Sequence, residues 1–268
     1  AAERAMQWMR DAGMTARMDD IGNVLGRYEG ARPGLPALLL GSHLDTVRDA
    51  GKYDGILGVL TAIECVAAFH KNGERPRFAI EVIGFGDEEG VRFQSTLLGS
   101  RAVAGIFDRA VLARKDADGI ALQDALTAFG LDPARIGAIA RRRQDVLAYL
   151  ELHIEQGPVL EREGVPIGAV ENLQGISWQR VTIDGVANHA GTTPMSMRSD
   201  AGHAAARVIT FLRDRAKGSN APTVATVGSI RFEPNAINVI PSRAVFTVDL
   251  RDPNEQRLRA EEAALASY

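Results

Sequence analysis

Cysteine and long apolar runs are the features that this sequence most clearly lacks. Its 268 residues include one cysteine, Cys65, so no disulfide can form within the chain, and a reducing, cytoplasmic setting is expected. No stretch approaches the ~20 consecutive apolar residues of a membrane-spanning helix. No charged segment followed by an apolar one is visible at the start. The sequence therefore argues against a disulfide-stabilised or membrane protein.

A strong charge imbalance is lacking as well. The formal net charge is −3, and 24% of the residues are charged. The one basic run, Arg141–Arg143, is typical of a solvated helix end rather than of a patch that binds polyanions. Nothing in the composition favours nucleic acid as a partner. With 46% hydrophobic residues, the chain is expected to be a soluble protein large enough for two domains.

The sequence does contain a series of metal-ligand-type residues where strands are predicted to end. Apolar runs at residues 38–40, 78–85 and 147–152 indicate short buried strands. The candidate ligands are His43 and Asp45 in GSHLD, Asp54 in KYDG, Glu88 and Glu89 in GDEEG, and His153 in ELHIEQG. In open α/β sheets, ligands bind beside the carboxyl ends of strands. Imidazole and carboxylate groups without a thiolate suit Zn²⁺, Mn²⁺ or Co²⁺, so a metal-dependent hydrolase is the leading interpretation.

The spacing of the first candidates indicates separate roles for them. Gly55 directly follows Asp54, which allows a sharp backbone turn and leaves the carboxylate free to bridge two ions. His43 and Asp45 are two residues apart and share a face of an extended segment. Asp45 can therefore hold the far nitrogen of His43 without binding the metal itself.

The adjacent acids Glu88 and Glu89 are expected to diverge, so that one binds metal while the other faces the attacking water. Asp87 is expected to be an ordinary acid of the turn. Any one of these residues alone would more often be a solvated loop acid or a hydrogen-bonded histidine. The combination of GSHLDT with YDG a few residues later is a more specific sign of a metal site than any single acid.

The pattern of strands and helices predicts two domains, at residues 1–174 and 175–268. The first alternates strand and helix, which predicts an α/β domain with a central mixed sheet and helices on both faces. Its apolar helix, from about Ile56 to Lys71, should be buried against the sheet with Cys65 in the core. The second domain reads as strand, helix, strand, strand, helix, five sixths of a ferredoxin-like unit. Its predicted elements are strands 178–183, 223–232 and 244–249, a helix over 200–215 and a helix from 253 onward.

Five segments resemble the amidase/hydantoinase/carbamoylase branch of the di-metal aminoacylase and peptidase clan. They are GSHLDTVRDAGKYDGILGV, GDEEGVRF, LGSRAVAG, LHIEQGPVLE and NHAGTTPMSMRSDA. The members that the chain resembles most are allantoate amidohydrolases and N-carbamoyl-L-amino-acid hydrolases. HIEQG is similar to these ureido-cleaving enzymes and not to the related exopeptidases. The resemblance implies a zinc-exopeptidase-like catalytic domain, an inserted lid that also makes a homodimer, and two divalent ions per subunit, Zn²⁺ or Mn²⁺, with Co²⁺ as a further candidate.

The resemblance also implies a role for each candidate at the metal site. His43, Asp54, Glu89 and His153 would be metal ligands, with Asp54 as the bridge between the two ions. Glu88 would be the general base.

Further residues would contact the substrate. His189, in the predicted lid, would reach the metal site of a partner subunit and stabilise the oxyanion of the tetrahedral intermediate. Asn238 and Arg251 would bind the substrate carboxylate, since a guanidinium offers two parallel hydrogen bonds and an amide adds a third donor. Gln156 would contact the ureido or carboxylate group. Without the resemblance, Arg251 would be interpreted as a surface charge paired with a neighbouring aspartate.

The resembled family has one more histidine ligand, in a motif that would lie beyond Tyr268. The chain also opens directly into a helix pattern and ends in a charged helix with no following strand. It is therefore expected to be truncated at both ends, as a fragment or a shortened homologue, with one ligand fewer for the second ion.

The predicted function is metal-dependent hydrolysis of a linear amide or amidine C–N bond in a ureido-carboxylate, with allantoate as the preferred substrate. An N-carbamoyl-L-amino-acid hydrolase or a β-ureidopropionase is the alternative, and a di-metal dipeptidase is a more distant one. A hypothesis of another class is an inactive homologue that serves as a binding or dimerisation protein. The intact first set of ligands and base argues against that hypothesis.

Overall fold

The structure, a computed structural model, describes residues 1–49 and 51–268 and divides into two compact units. The first unit is Ala1–Pro166 and the second is Ile167–Tyr268. This division lies eight residues before the boundary predicted from the sequence. Within the described residues, no helix is both long and apolar enough to cross a membrane.

The first unit is built on a mixed five-stranded sheet. Its strands are β1 (Thr15–Met18), β2 (Val24–Tyr28), β3 (Ala37–His43), β4 (Ala79–Phe85) and β5 (Val146–Leu150). They lie in the order β1-β2-β4-β3-β5, with β3 parallel to β4 and β5, and β2 antiparallel to β1 and β4. The carboxyl ends of β3, β4 and β5 therefore meet at one edge, and the predicted mixed α/β architecture is confirmed.

Helices cover both faces of this sheet. The elements are α1 (Ala2–Asp11), α2 (Ile56–Lys71), α3 (Leu98–Val103), α4 (Leu122–Ala128), α5 (Val159–Glu163) and 3₁₀ helices at Arg109–Ala113, Pro133–Ile139 and Arg143–Asp145. Met9 of α1 and Val59 of α2 are buried in a core on one face of the sheet. Leu98 of α3, Leu122 of α4 and Ile136 are buried in a second core on the other face.

Helix α2 begins and ends at the predicted residues and packs on the sheet through one side. Val59, Ile63 and Val66 are buried, a spacing of four and three residues that lies on one face of a helix. Cys65 is exposed, so the prediction that it packs in the core is wrong. The reason is geometric: two residues after Ile63 a helix has turned by roughly 200°, which carries the cysteine to the solvent side.

The antiparallel pair β1–β2 was not predicted from the sequence. The strands are only four and five residues long, and β1 alternates exposed and half-buried residues without a strong apolar stripe. The pair joins the sheet through β2, which runs antiparallel to β4 from Val24↔Gly84 to Tyr28↔Ile80. The turn between β1 and β2 consequently lies near the carboxyl end of β4.

The second unit is a sheet with helices packed on one face. Its elements are β6 (Gly175–Asp184), α6 (Ala201–Gly218), β7 (Val224–Thr226), β8 (Ile230–Glu233), β9 (Arg243–Asp252), α7 (Glu255–Ser267) and a 3₁₀ turn at Met195–Met197. Strand β9 is central, with β6 on one side and both β7 and β8 on the other. Leu212 of α6 and Leu258 of α7 pack against Phe246 and Leu250 of β9.

The strand predicted over residues 223–232 is split into β7 and β8. Thr226 pairs with Asp249 and Ile230 pairs with Phe246, so three residues of one chain segment stand opposite two of the other. The extra residue makes a bulge around Gly228, a position where glycine is common because the backbone must bend.

The two tryptophans of the sequence lie in different units. Trp8 is on α1 in the first unit and is 43% exposed, whereas Trp178 is on β6 in the second unit and is 71% exposed.

Candidate metal centre

Three of the predicted ligands converge at the carboxyl edge of the first sheet. His43 is the last residue of β3, Asp54 directly precedes the Gly55 cap of α2, and His153 follows β5 by three residues. The Nε2 atoms of His43 and His153 are 3.3 Å apart. Oδ1 of Asp54 lies 3.2 Å from Nε2 of His153 and 3.6 Å from Nε2 of His43. Residues 43, 54 and 153 thus present three ligand atoms within 4.8 Å of one another.

The orientation of the two imidazole rings fits a divalent cation. Nδ1 of His43 lies 2.9 Å from the main-chain oxygen of Asp45, and Nδ1 of His153 lies 2.8 Å from that of Ile154. A carbonyl only accepts, so each neutral ring carries its hydrogen on Nδ1 and turns the lone pair of Nε2 towards Asp54. Two lone pairs and a carboxylate that face one another repel, unless a cation lies between them. The donor set is the nitrogen and oxygen type that Zn²⁺ and Mn²⁺ accept.

The acidic loop after β4 provides a second group around His43. His43, Glu88 and Glu89 present ligand atoms within 4.8 Å of one another. Nε2 of His43 is 4.0 Å from Oε2 of Glu88. His43 therefore belongs to both ligand groups, and the acids predicted as base and ligand lie side by side at the same edge.

Asp45 fixes this loop in a way that the sequence did not predict. Its carboxylate accepts hydrogen bonds from the backbone nitrogens of Glu88, at 3.1 Å, and Glu89, at 3.0 Å. The carboxylate lies 3.9 Å from Nδ1 of His43, and the main-chain oxygen of Asp45 makes the closer contact. Asp45 thus orients the histidine through its main chain and the acidic loop through its side chain.

Asn23, in the turn between β1 and β2, also anchors the acidic loop. Its side chain is fully buried, accepts from the backbone nitrogen of Gly86 at 3.0 Å and donates to the carbonyl of Gly99 at 3.2 Å. It also donates to Asp19 at 2.9 Å. Gly86 and Gly99 flank the segment that carries the two glutamates. Sequence reasoning missed Asn23 because its partners next to the acidic loop, Gly86 and Gly99, lie more than 60 residues away along the chain.

Burial and neighbouring charges raise the pKa of two acids in this loop. Burial raises the pKa of the Glu88 carboxyl, His43 opposes that shift, and the carboxylates of Glu89 and Asp45 add to it. Burial and the charge of Asp45 raise the pKa of Asp87 to about 6. Asp87, which the sequence predicts to be an ordinary acid of the turn, is half-buried. This crowding of carboxylates is the electrostatic setting that a divalent cation relieves.

Gly55 lets the bridge candidate and the histidine approach each other. Its φ is +66°, a conformation that favours glycine, and a Cβ at this position would lie 2.5 Å from the ring of His43. The sequence predicted the turn but not the contact with the imidazole.

Gln156 lies against Asp54. Its Nε2 donates to both carboxylate oxygens, at 2.9 and 2.8 Å, from a backbone with φ of +55°. Gln156 was predicted to contact the substrate, and in the structure its side-chain amide contacts Asp54 of the candidate metal centre.

Two of the remaining candidates lie together in the second unit. The loop of His189 and the loop of Asn238 are joined by a short ladder, in which His189 bridges to Val239 and the nitrogen of Ala190 donates to the carbonyl of Asn238 at 2.9 Å. Both candidate side chains belong to exposed residues. These loops lie beyond the end of the sheet where Asp184 pairs with Arg243.

Arg251 lies at the other end of the same sheet. It pairs with Ile176 across β6 and β9, and its guanidinium makes an ion pair with Asp249 at 2.8 Å. Arg243 and Arg251 are eight residues apart along β9, which is about 27 Å at about 3.4 Å per residue. Within one second unit, Arg251 and the His189 loop are therefore well separated.

This combination of a mixed α/β sheet, a histidine–carboxylate cluster at its carboxyl edge and a second α+β unit agrees with the family comparison. Residues 39–257 match the model of peptidase family M20/M25/M40, and the chain belongs to that family. The resemblance predicted from the motifs is confirmed.

The chain is similar to amidohydrolases within the family. It is 45% identical over 252 residues to an N-carbamoyl-L-amino acid amidohydrolase of Geobacillus stearothermophilus, a match that covers 94% of this chain and 61% of the relative. It is 44% identical over 269 residues to allantoate deiminase of Arabidopsis thaliana, covering 91% of this chain and 51% of the relative. A crystal structure of a hydantoinase/carbamoylase family amidase from Burkholderia multivorans aligns with a TM-score of 0.87 at 37% identity, covering 99% of this chain and 64% of that one. The chain thus spans about six tenths of the length of the first of these relatives.

Proposed function

We propose that this chain contains the metal centre and a substrate-binding unit of an amidohydrolase that cleaves a C–N bond in a small ureido-carboxylate. The observation that carries the proposal is the convergence of His43 Nε2, His153 Nε2 and the Asp54 carboxylate beside Glu88 and Glu89. Names of the relatives support the substrate class, because N-carbamoyl amino acids and allantoate both join a carboxylate to a ureido group.

Four side chains would hold the metal ions. They are His43, Asp54, Glu89 and His153, with Asp54 shared between two ions. Zn²⁺ and Mn²⁺ both suit these nitrogen and oxygen donors, and Co²⁺ is a third candidate. When bound, such ions lower the pKa of a water molecule and polarise the carbonyl that is attacked.

Glu88 would carry the proton during the reaction. Its carboxylate would accept a proton from the attacking water and pass it to the leaving nitrogen. The burial that raises the pKa of Glu88 suits this role, because a base with a raised pKa holds a proton more firmly and can later release it to an amine. Asp45 would keep the base in place through the backbone nitrogen of Glu88.

The second unit would supply the substrate contacts. Arg251 and Asn238 would bind the carboxylate, and His189 would donate to the developing oxyanion. Because the two ends of β9 are about 27 Å apart, Arg251 and His189 of the same unit cannot reach one small substrate together. A homodimer would resolve this, since one copy could provide Arg251 and another copy both His189 and Asn238, whose loops lie together.

Allantoate is the preferred substrate, because HLDTVRDAGKYDG and GVRFQST look most like chains of that activity. The second candidate is an N-carbamoyl-L-amino acid, the substrate class in the name of the Geobacillus relative that is 45% identical to this chain. Both share the ureido-carboxylate frame and differ in the groups next to it, so an assay with both substrates in parallel is required.

The test is release of ammonia from each substrate by the full-length protein loaded with Mn²⁺. Glu88→Gln is the inactive reference, and Glu161→Gln, on the exposed helix α5, is the matched control that should retain full activity. Turnover of allantoate alone supports the preferred substrate, and turnover of the carbamoyl amino acid alone supports the second. Metal binding without turnover of either would contradict the amidohydrolase proposal and favour an inactive binding protein.

A further inference from the structure

A serine, a glutamate and a tyrosine link the two chain segments that carry the histidines of the metal centre. Oγ of Ser42 donates to Oε1 of Glu151 at 2.5 Å. The hydroxyl of Tyr149 donates to Oε2 of the same carboxylate at 2.7 Å and lies 3.3 Å from the carbonyl of Gly41. Short O–H···O⁻ contacts of this kind are stronger than neutral hydrogen bonds. These three side chains are called the clasp below.

The clasp lies where the backbone pairing between the strands has ended. Among the described residues, the ladder between β3 and β5 runs from Ala37↔Val146 to Leu40↔Leu150 and stops there. His43 is still held by β4, because it pairs with Phe85. In the described chain, His153 lies outside the helices and strands, so strand pairing does not fix its position.

The neighbours of the clasp show how closely this segment is packed. Helix α2 approaches the carbonyl of Leu152 through Gly58, where an added Cβ would lie 2.2 Å from that oxygen and 2.9 Å from Cβ of Ser42. Ser42 is completely buried. The segment before His153 is thus set on one side by α2 and tied to β3 by Glu151.

From this arrangement we propose that Glu151 is a positioning residue, which holds His153 opposite His43 through its hydrogen bonds to Ser42 and Tyr149. Among the described residues, Glu151 belongs to neither group of converging ligand atoms, so it acts through the histidine rather than as a ligand itself. Loss of a partner that orients a metal ligand typically weakens metal binding by 10- to 100-fold. The inference rests on the proposed metal centre.

The test compares Mn²⁺ binding by Glu151→Gln, Ser42→Ala, Tyr149→Phe and the double variant of Ser42→Ala with Glu151→Gln. Titration calorimetry on the metal-free proteins gives the dissociation constants, and thermal unfolding without metal gives the stability of each variant. We expect each single change to weaken Mn²⁺ binding about 10-fold. The double variant should bind about as weakly as Glu151→Gln alone, because residues of one network are not additive. Glu161→Gln is the control and should bind like the unaltered protein.

Three results would overturn the inference. The first is unchanged binding in all clasp variants. The second is a loss of Mn²⁺ binding that is explained by unfolding of the variant alone. Tyr149→Phe is the variant least affected by unfolding, because that ring is 44% exposed and the change removes only one hydroxyl. The third is an altered Co²⁺ absorption spectrum in Glu151→Gln alone, which would make Glu151 a ligand. If the unaltered protein binds no Mn²⁺, the metal centre itself is wrong and the clasp has no role.

Discussion

The side-chain amide of Gln156 donates to both carboxylate oxygens of Asp54, at 2.9 and 2.8 Å, from a segment just after His153. The contact fixes the plane of the carboxylate that would be shared between two ions. A carboxylate oxygen can accept more than one partner, so this hydrogen bond and metal binding are compatible.

We expect Gln156→Ala to weaken Mn²⁺ binding about 10-fold, because Asp54 then rotates freely. Titration calorimetry on the metal-free protein measures the change. Gln123→Ala, at an exposed position of α4, is the matched control. Equal affinity of Gln156→Ala and the control would show that the amide does not orient the carboxylate.

A side chain at position 55 should displace His43. Gly55→Ala places a methyl group 2.5 Å from the imidazole and holds an alanine at a φ of +66°, a strained conformation that costs about 1–3 kcal/mol. Gly34→Ala is a close control, because Gly34 also has a positive φ, of 75°, and nothing lies within 4 Å of the added Cβ. Gly55→Ala should lose more stability than Gly34→Ala in urea unfolding, because only its methyl group meets a neighbour, and only Gly55→Ala should lose Mn²⁺ affinity. Retained affinity would mean that His43 tolerates the shift.

Removal of the Asn23 amide should loosen the acidic loop. Asn23→Ala leaves the backbone groups of Gly86 and Gly99 buried without their partner, at an expected loss of about 2–4 kcal/mol in unfolding free energy. The exposed Asn72 gives the control variant Asn72→Ala, expected to change stability by less than about 1 kcal/mol. Chemical denaturation measures both. A loss below about 1 kcal/mol for Asn23→Ala would show that water replaces the amide.

The buried Asp252 should make the second unit sensitive to acid. Its carboxylate accepts from Arg257 at 3.0 and 2.8 Å and from Thr223 at 2.5 Å, and the hydrogen bond from Arg257 contributes most to lowering its pKa to about 2. A folded-state pKa below the unfolded value of about 3.9 stabilises the fold above that pH. This contribution is lost as the pH falls from about 4 towards 2.

We therefore expect Asp252→Asn to destabilise the second unit by about 1–3 kcal/mol at pH 7 and to differ less from the unaltered protein at pH 3. Urea unfolding at the two pH values measures both. Asp184→Asn, an exposed partner of Arg243, should have little effect at either pH. If the difference in unfolding free energy between Asp252→Asn and the unaltered protein is as large at pH 3 as at pH 7, the charge of Asp252 does not stabilise the second unit.

Local patterns in the sequence contain enough information to find the candidate metal centre. His43 and His153 stand just after apolar strand segments, and Gly55 follows Asp54, so the ligand types and their place at a sheet edge could be predicted from short stretches of chain. The motifs also identified the family. Helix α2 was placed at its observed residues because its apolar pattern is long and uninterrupted.

Contacts between distant parts of the chain could not be predicted in the same way. Asn23 reaches Gly86 and Gly99, and Gln156 reaches Asp54 across about 100 residues of sequence, so no spacing within a motif indicates them. The β1–β2 pair was missed because its strands are short and half-exposed. The bulge that separates β7 from β8 depends on the register with β9, which the strand itself does not specify.

The placement of the two tryptophans gives each of the two units its own intrinsic fluorophore. Trp8 belongs to the first unit and Trp178 to the second, and both are partly open to solvent. Substituting one indole by phenylalanine leaves an emission signal that originates from a single unit. Fluorescence of such single-tryptophan proteins can therefore assign a melting step or a ligand response to one unit, without any attached dye.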